Sequence, residues 1–409
     1  MSCNKINKKS YAVSMVGTAL EYYDMSLYGF MAPILVSIFL PTVDPLNALI
    51  ITFLLYPIGL ISRPFGAILI GRIGDKFGRK KALTIGIFGM AAATGIIGLL
   101  PTYKEIGIAA PILFTACRVM QSFFVAGEYN GGAIYILEHA EAKKKGHISG
   151  LYCAYTVSGI LAASAVCTAV TYLPEGYWRL PYLFGFVTGI FGFYIRMHAQ
   201  ESPEFIKYSG ATQIDVKLLR NHMKKIFCAI GMAAFFGALY TMPALLMTSI
   251  VPLITKLSAQ NVMEINTITL FIYMCMLPVS GLVADKIGFN RSMTMAAIAT
   301  AVLTIPLIQL LSKGSIYDVF QAKAIFAVLS AWFIGPFHAL VQSLFKINHR
   351  YRLISLTYSI GAQIGGAMPG ISLWLWKETG NTMYIGLVLI IWAIIGAICS
   401  LLSRTEMIE

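Results

Sequence analysis

Charge is scarce in this sequence. Only 12% of its 409 residues are Asp, Glu, Lys or Arg, while 57% are hydrophobic, and mean hydropathy is +0.74. A soluble globular chain carries about 25% charged residues, because its surface faces water whatever the size of its core. The deficit excludes a soluble domain and fits a surface that faces lipid. Acidic residues are the scarcest, 18 against 31 basic, for a net charge of +13. In a soluble protein that excess would raise nucleic acid as a partner. Here the basic residues fall in turns between apolar runs, as the positive-inside bias requires, and no nucleic-acid partner is expected. The 7 cysteines include no CxxC pair, and all but Cys3 lie within apolar segments. A disulfide framework or zinc site is therefore not expected. A GxxxxGK(S/T) phosphate loop is also missing, and no nucleophile–base or metal-ligand grouping stands out. Neither an ATPase nor another enzyme is expected, and no cofactor.

What is present is a series of apolar runs. A spanning helix needs about 20 mainly apolar residues, and that rule gives twelve spans, near 11–39, 47–71, 82–100, 106–136, 148–173 and 180–198, then 226–255, 265–284, 292–311, 319–345, 353–376 and 383–403. The first run follows Lys5, Lys8 and Lys9 but continues to about Phe39 and contains Glu21 and Asp24. It is too long and too acidic for a cleaved signal and is read as a retained span. The runs do not alternate as barrel strands would, and backbone groups in lipid must be satisfied internally. The expected fold is all-α and multi-pass: an N-terminal six-helix half (1–198), a connector (199–225) and a C-terminal six-helix half (226–409). With the N-terminus inside, about 23 of the 31 basic residues face the cytoplasm and about six face out: Lys104, Arg179, Lys256, Lys313, Lys323 and Lys377. Both termini are therefore expected to be cytoplasmic.

The two halves share a marker. Gly71 to Lys81 reads GRIGDKFGRKK, and Gly281 to Arg291 reads GLVADKIGFNR; Asp75 and Asp285 stand 210 positions apart. Halves repeated in parallel place substrate near mid-membrane, between them. The first copy resembles the signature loop of the major facilitator superfamily, G-x-x-x-D-(R/K)-x-G-R-(R/K), at Gly71, Asp75, Lys76, Gly78, Arg79 and Lys80. The second matches at Gly281, Asp285, Lys286 and Gly288, then has Phe289 and Asn290 where basic residues stand in the family. Its latch is expected to be weaker. Within the superfamily the chain is similar to metabolite:proton symporters, most of all bacterial proline/betaine transporters. The similarity rests on ALEYYDMSLYGF (19–30), RPFGAILIGRIGDKFGRKKA (63–82), QSFFVAGEYNGGA (121–133), WRLPY (178–182) and ESPEF (201–205).

A charged side chain within a span marks a functional site by default. The candidates are Glu21 and Asp24 in the first span, Arg63 in the second, and Arg118 and Glu128 in the fourth. At about 1.5 Å per residue, Glu21 and Arg118 lie near the middle of a core about 30 Å thick, and they are expected to pair or share a cavity. Glu21 and Asp24 are three apart, on one helical face. Two carboxylates so close resist ionising together, which suits a proton carrier. Arg118 stays charged and would bind a substrate carboxylate or tune the acids; a static ion pair between the spans is the plain alternative. Arg118 and Gln121 match the family's R-x-x-Q pattern, where the resemblance implies a part in proton coupling. Arg63, Glu128, Asp75 and Arg79, with the second copy's Asp285 and Lys286, are read as an inner gate. Glu128, in a family-like GEYxG, could instead serve the proton path.

A quaternary ammonium would want aromatic faces. Tyr22, Tyr28, Tyr129, Tyr240 and Tyr358 are candidates, with Gln363 beside Gly361, Gly365 and Gly366. His139, His147, His338 and His349 are read as interfacial. The family's antiporter motif has a GP dipeptide in the fifth span that this chain lacks, which favours symport or uniport. No long tail follows Arg404, so the osmosensing coiled coil of some relatives is not expected. The resemblance implies proton-driven uptake of proline, glycine betaine or a related zwitterion across the cell (inner) membrane, with no cofactor, by a monomer. A mono- or dicarboxylate symporter, a facilitator without proton coupling, and a membrane sensor that moves nothing remain open.

Overall fold

The computed structural model describes residues 8–41, 43–55, 62–63, 65–66, 69–70, 73, 79–125, 128–138, 140–197, 220, 222–345 and 347–403. Among them, each expected span is helical. The first half runs Lys8–Phe39, Pro45–Leu55, Arg79–Leu99, Ala109–Phe124 with Glu128–Glu138, Lys145–Val170 and Leu180–Met197. In the second half the seventh span is Met223–Tyr240, one π-helical turn at Thr241–Leu246, and Met247–Ile254. The eighth and ninth are Ala259–Ile287 and Phe289–Ser312; the tenth is Ile316–Ile334 with Phe337–Ser343; the last two are Ile347–Thr379 and Met383–Leu402. No strand occurs among the described residues.

Six of these helices are by themselves long and apolar enough to cross a membrane. The others fall short for visible reasons. The first carries Glu21 and Asp24 within it, the fourth is divided, and the eleventh carries Gln363 and the small residues Gly361, Gly365 and Gly366 in its charge-free middle. Large apolar side chains such as Phe191, Val302 and Ile391 point outward and are more than half exposed. That is the face expected where lipid, not water, is the solvent.

The halves meet along helix pairs. The fifth span lies against the eighth, the first against the seventh through Ser26 and Gly29, and the second against the eleventh. Within the second half, Gly361 and Gly365 let the eleventh span touch the seventh backbone to backbone. A Cβ on Gly365 would stand 2.2 Å from the carbonyl oxygen of Ala234. Small residues allow that approach in lipid, where dispersion and hydrogen bonds do the packing. Ser164 and Thr168 meet Thr267 near one end of the fifth–eighth seam, and Gly146 and His147 meet Asp285 near the other. The seam is closed at both ends, with a cavity between the halves.

Candidate functional site

The first half contains a polar pocket built around Arg118. Three residues along the helix, Gln121 lies on the same face, and Arg118 Nη1 donates to Gln121 Oε1 at 2.7 Å. Gln121 Nε2 donates in turn to Thr94 Oγ1 of the third span at 2.7 Å. The guanidinium stands 4.2 Å from the centre of the Tyr28 ring, a cation–π contact in a site shielded from water. Asp24, Arg63 and Arg118 line one pocket with Gln121 and Ser122, and Thr94 and Arg118 neighbour the Asp24 carboxylate. Its Oδ1 has no hydrogen-bond partner among the described residues and rests against Gly185, where a Cβ would come within 2.3 Å. The pocket offers water centres about 10 Å³, room for about one molecule. Glu21 is equally buried and neighbours Asp24, Tyr22 and Tyr152. The carboxylate that shares the lining of the Arg118 pocket is Asp24, one turn on from Glu21.

A second cavity lies between the halves. It is lined by Tyr22, Tyr129, Phe236, Tyr240, Tyr273 and Tyr358, with Arg63 and Gln363 at one side and Ser26, Cys153, Thr156 and Thr241 among the rest. Among the described residues the lining holds one charged side chain, Arg63, and no carboxylate. It offers water centres about 60 Å³, space for about four to six waters. Most hydroxyls around it are already engaged: Tyr22 with Tyr358 at 3.2 Å, Tyr240 with Ser26 at 2.7 Å, and Tyr129 with His338 Nε2 at 2.8 Å. With its amide oxygen turned to the cation, as the neighbouring donors require, Gln363 accepts from Arg63 Nη1 at 3.0 Å and Nε at 3.2 Å. A larger recess, about 330 Å³, lies elsewhere, between Tyr28, Phe39, Ile51, Ile108 and Phe114. It is apolar, carries no charged group and has no part in the chemistry.

The second signature loop has a visible task. The fifth span begins after Lys144, whose side chain makes no capping hydrogen bond, so its first N–H groups need other acceptors. Asp285 supplies them: Gly146 N donates to Oδ1 at 2.7 Å and His147 N to Oδ2 at 2.8 Å. Gly281, four residues earlier on the same helical face, lets the chains cross, for a Cβ there would lie 2.2 Å from Gly146 O. The contact this copy makes is therefore visible, whatever its strength beside the first copy, whose Asp75 lies outside the described residues. The latch is a carboxylate on a helix N-terminus, and it needs neither basic residue that this copy lacks. Asn290 instead ties the ninth span to the twelfth by donating to Ser400 O at 2.7 Å. Asp285→Ala should weaken this closure by about 1–2 kcal/mol, the worth of a charged cap, and so raise the open population about five- to thirtyfold. Spin-label distances between positions 144 and 286 measure it; an unchanged distribution would remove the latch.

The structure separates some residues that the sequence grouped. Arg63 opens onto the central cavity and the Asp24 pocket, a different place from the inner gate expected of it. Tyr28 stacks on Arg118 and gives its hydroxyl to Thr52 O, so it is not a wall of the central cavity. Tyr22, Tyr129, Tyr240, Tyr358 and Gln363 are walls of it. Lys286 is exposed at the end of the eighth span. Gly71, Asp75, Lys76 and Gly78 lie outside the described residues, as do the side chains of Arg79, Lys80 and Glu128. Two residues were misplaced. His338, read as interfacial, is buried between the halves among Tyr129, Tyr152 and Tyr358. Lys323, counted among the outer basic residues, is 2% exposed inside the tenth span. A lysine seven residues past that helix's start was the available signal.

Comparison with known proteins agrees with this architecture. The sequence profile described as Major Facilitator Superfamily matches residues 14–370. The proline/betaine transporter of Salmonella typhimurium is 27% identical over 96% of this chain and 82% of its own length. A glycine betaine/proline/ectoine/pipecolic acid transporter of Dickeya dadantii is 27% identical over 97% and 83%. Among solved structures, a D-xylose-proton symporter superposes with a TM-score of 0.77 at 16% identity, covering 97% of each chain. The xylose transporter of Escherichia coli, partially occluded and inward-open, gives 0.72 at 16% identity over 96% of each. At such identities the structural likeness speaks to the fold.

Proposed function

This chain belongs to the major facilitator superfamily, and from that footing we propose that it takes up a small zwitterion, such as proline or glycine betaine, together with a proton. The observation that carries the reading is the position of Arg63, which lines both the aromatic cavity and the pocket of Asp24 and Arg118. A solute carboxylate held by Arg63 and Gln363 would leave the solute's cationic end among Tyr22, Tyr129, Tyr240 and Tyr358. The same guanidinium would link occupancy of the cavity to the charge on Asp24. A proton arriving at Asp24 then has a solute anion nearby to balance Arg63, and solute and proton favour each other's binding. The relatives named proline/betaine transporters support the solute class. The sequence charge count supports a multi-pass protein of the cell membrane with both ends inside, and the halves rocking about the cavity supply alternating access.

A mono- or dicarboxylate would also seek arginine, but the lining favours a zwitterion. Among the described residues one cation faces six aromatic rings, more apolar and π surface than a bare carboxylate can use. The engaged hydroxyls leave ring faces for the ammonium, so replacing N–H by N–CH₃ should improve binding. In proteoliposomes, glycine, sarcosine, dimethylglycine and glycine betaine should compete for uptake in rising order, betaine at least about tenfold ahead of glycine. Its carbon isostere 3,3-dimethylbutanoate, which keeps the carboxylate but carries an uncharged tert-butyl group in place of the ammonium, should compete poorly. If it competes as well as betaine, the site is a carboxylate site; if nothing exchanges in counterflow, the chain is a sensor.

A further inference from the structure

Lys323 is the buried charge that the uptake reading does not use. It stands in the tenth span, seven residues from Ile316 and so about 10 Å along the helix, with its side chain 2% exposed. Among the described residues no carboxylate pairs with it. Its Nζ donates instead to the carbonyl oxygen of Pro243 at 2.8 Å and to Thr248 Oγ1 at 3.0 Å. A lone ammonium in such a place is expensive, and what it holds is unusual backbone. Pro243 lies within the π-helical turn Thr241–Leu246 that interrupts the seventh span. A proline there has no N–H to give the carbonyl of residue 239. Ser330, seven residues after Lys323 on the same face of the tenth span, donates to that carbonyl at 3.1 Å. Lys323 and Ser330 together thus serve one carbonyl inside the break and the carbonyl that Pro243 leaves without its helical partner.

The interrupted turn also carries the contact that closes the cavity against the first span. Tyr240, just before it, meets Ser26 at 2.7 Å. Leu245, inside it, covers Gly29 so closely that a Cβ on Gly29 would lie 2.5 Å from its Cδ1. The loosened backbone, its closing side chain and the cation that spans it form one device. We propose that Lys323 is a latch on the seventh span: its ammonium, bridging Pro243 O and Thr248 across the π turn, holds Met247–Ile254 and Leu245 closed on the first span. Movement at that turn opens the cavity on the side away from the signature loops. Lys323 is a positioning residue here, since it touches neither solute nor Asp24.

The test needs no solute. Hydrogen–deuterium exchange is followed in nanodiscs for the intact chain. Lys323→Met removes two charge-assisted bonds, so exchange at residues 244–254 should rise about ten- to hundredfold, with residues 226–239 unchanged. Lys323→Arg, which keeps donors, should stay within about threefold of the parent. Pro243→Ala lets the helix regain its own bonds, so combining it with Lys323→Met should restore slow exchange. Thr248→Val keeps the lysine and should give a smaller rise, about threefold, and it carries the test if Lys323→Met does not fold. Unchanged exchange in both variants, or a rise spread evenly over all helices, would overturn the latch and leave Lys323 a packing residue.

Discussion

Asparagine in place of Asp24 should abolish gradient-driven accumulation while leaving exchange of solute across the membrane. The carboxylate is buried, borders Arg118 and the pocket that Arg63 also lines, and has one oxygen without a hydrogen-bond partner among the described residues. A buried polar atom left alone is costly, and the adjoining space admits about one water. A proton on that oxygen, or a water beside it, meets the need. Loading and unloading a proton there changes what the pocket must hold as the halves move. Asparagine keeps the shape and the contact with Thr94 but cannot carry the charge change. A proton moved down 100 mV is worth about 2.3 kcal/mol, enough for about fortyfold accumulation. In Asp24→Asn that ratio should fall to about one, with counterflow persisting. Glu21→Gln is the companion, because Glu21 neighbours the same carboxylate. Full accumulation in Asp24→Asn, with loss in Glu21→Gln, would move the proton site one turn along the helix.

Arg63→Met should remove recognition of the solute's carboxylate. The guanidinium faces the cavity with Gln363 beside it and Met25 Sδ 3.3 Å from Nη2, so it is held ready with two or more donors. Each bond to a charged partner is worth about 1.5–3 kcal/mol, and losing a bidentate pair should raise KM at least about a hundredfold. Arg63→Lys keeps the charge but not the fork and should cost about tenfold by the same arithmetic. The check that separates recognition from damage is betaine against its amide, which keeps the ammonium but has no carboxylate charge. The parent should prefer betaine by about a hundredfold, and Arg63→Met should not distinguish them. A variant that still prefers the carboxylate would place the anion elsewhere, with Arg118 the next candidate.

These two residues also show what the sequence could and could not disclose. The twelve spans were legible because lipid demands long apolar helices, and among the described residues their ends fell within about six residues. The second loop's task was partly legible, because Gly281 and Asp285, four apart, share the helical face that crosses and caps the fifth span. The Arg118–Gln121 contact was legible from spacing alone. Partners across spans were not. Depth arithmetic put Glu21 level with Arg118, but rotation about the helix decides which acid shares the pocket, and it is Asp24. Arg63 looked like a gate because distance along the chain cannot say which way a long side chain reaches. Tyr28 looked like a cavity wall for the same reason. Lys323 was hidden by a rule that usually works: a lysine near the end of a span reaches out to water. Only the π turn at Pro243 on a neighbouring helix explains why this one stays inside.

Coupling is the central claim, and one measurement addresses it most directly. Labelled glycine betaine and proline are presented to proteoliposomes with the outside more acid, with no gradient, and with the gradient collapsed by a protonophore. Symport requires accumulation above the external concentration in the first case alone, tracking the size of the gradient. Equal uptake in all three, stopping at equilibrium, would contradict proton coupling and leave a facilitator.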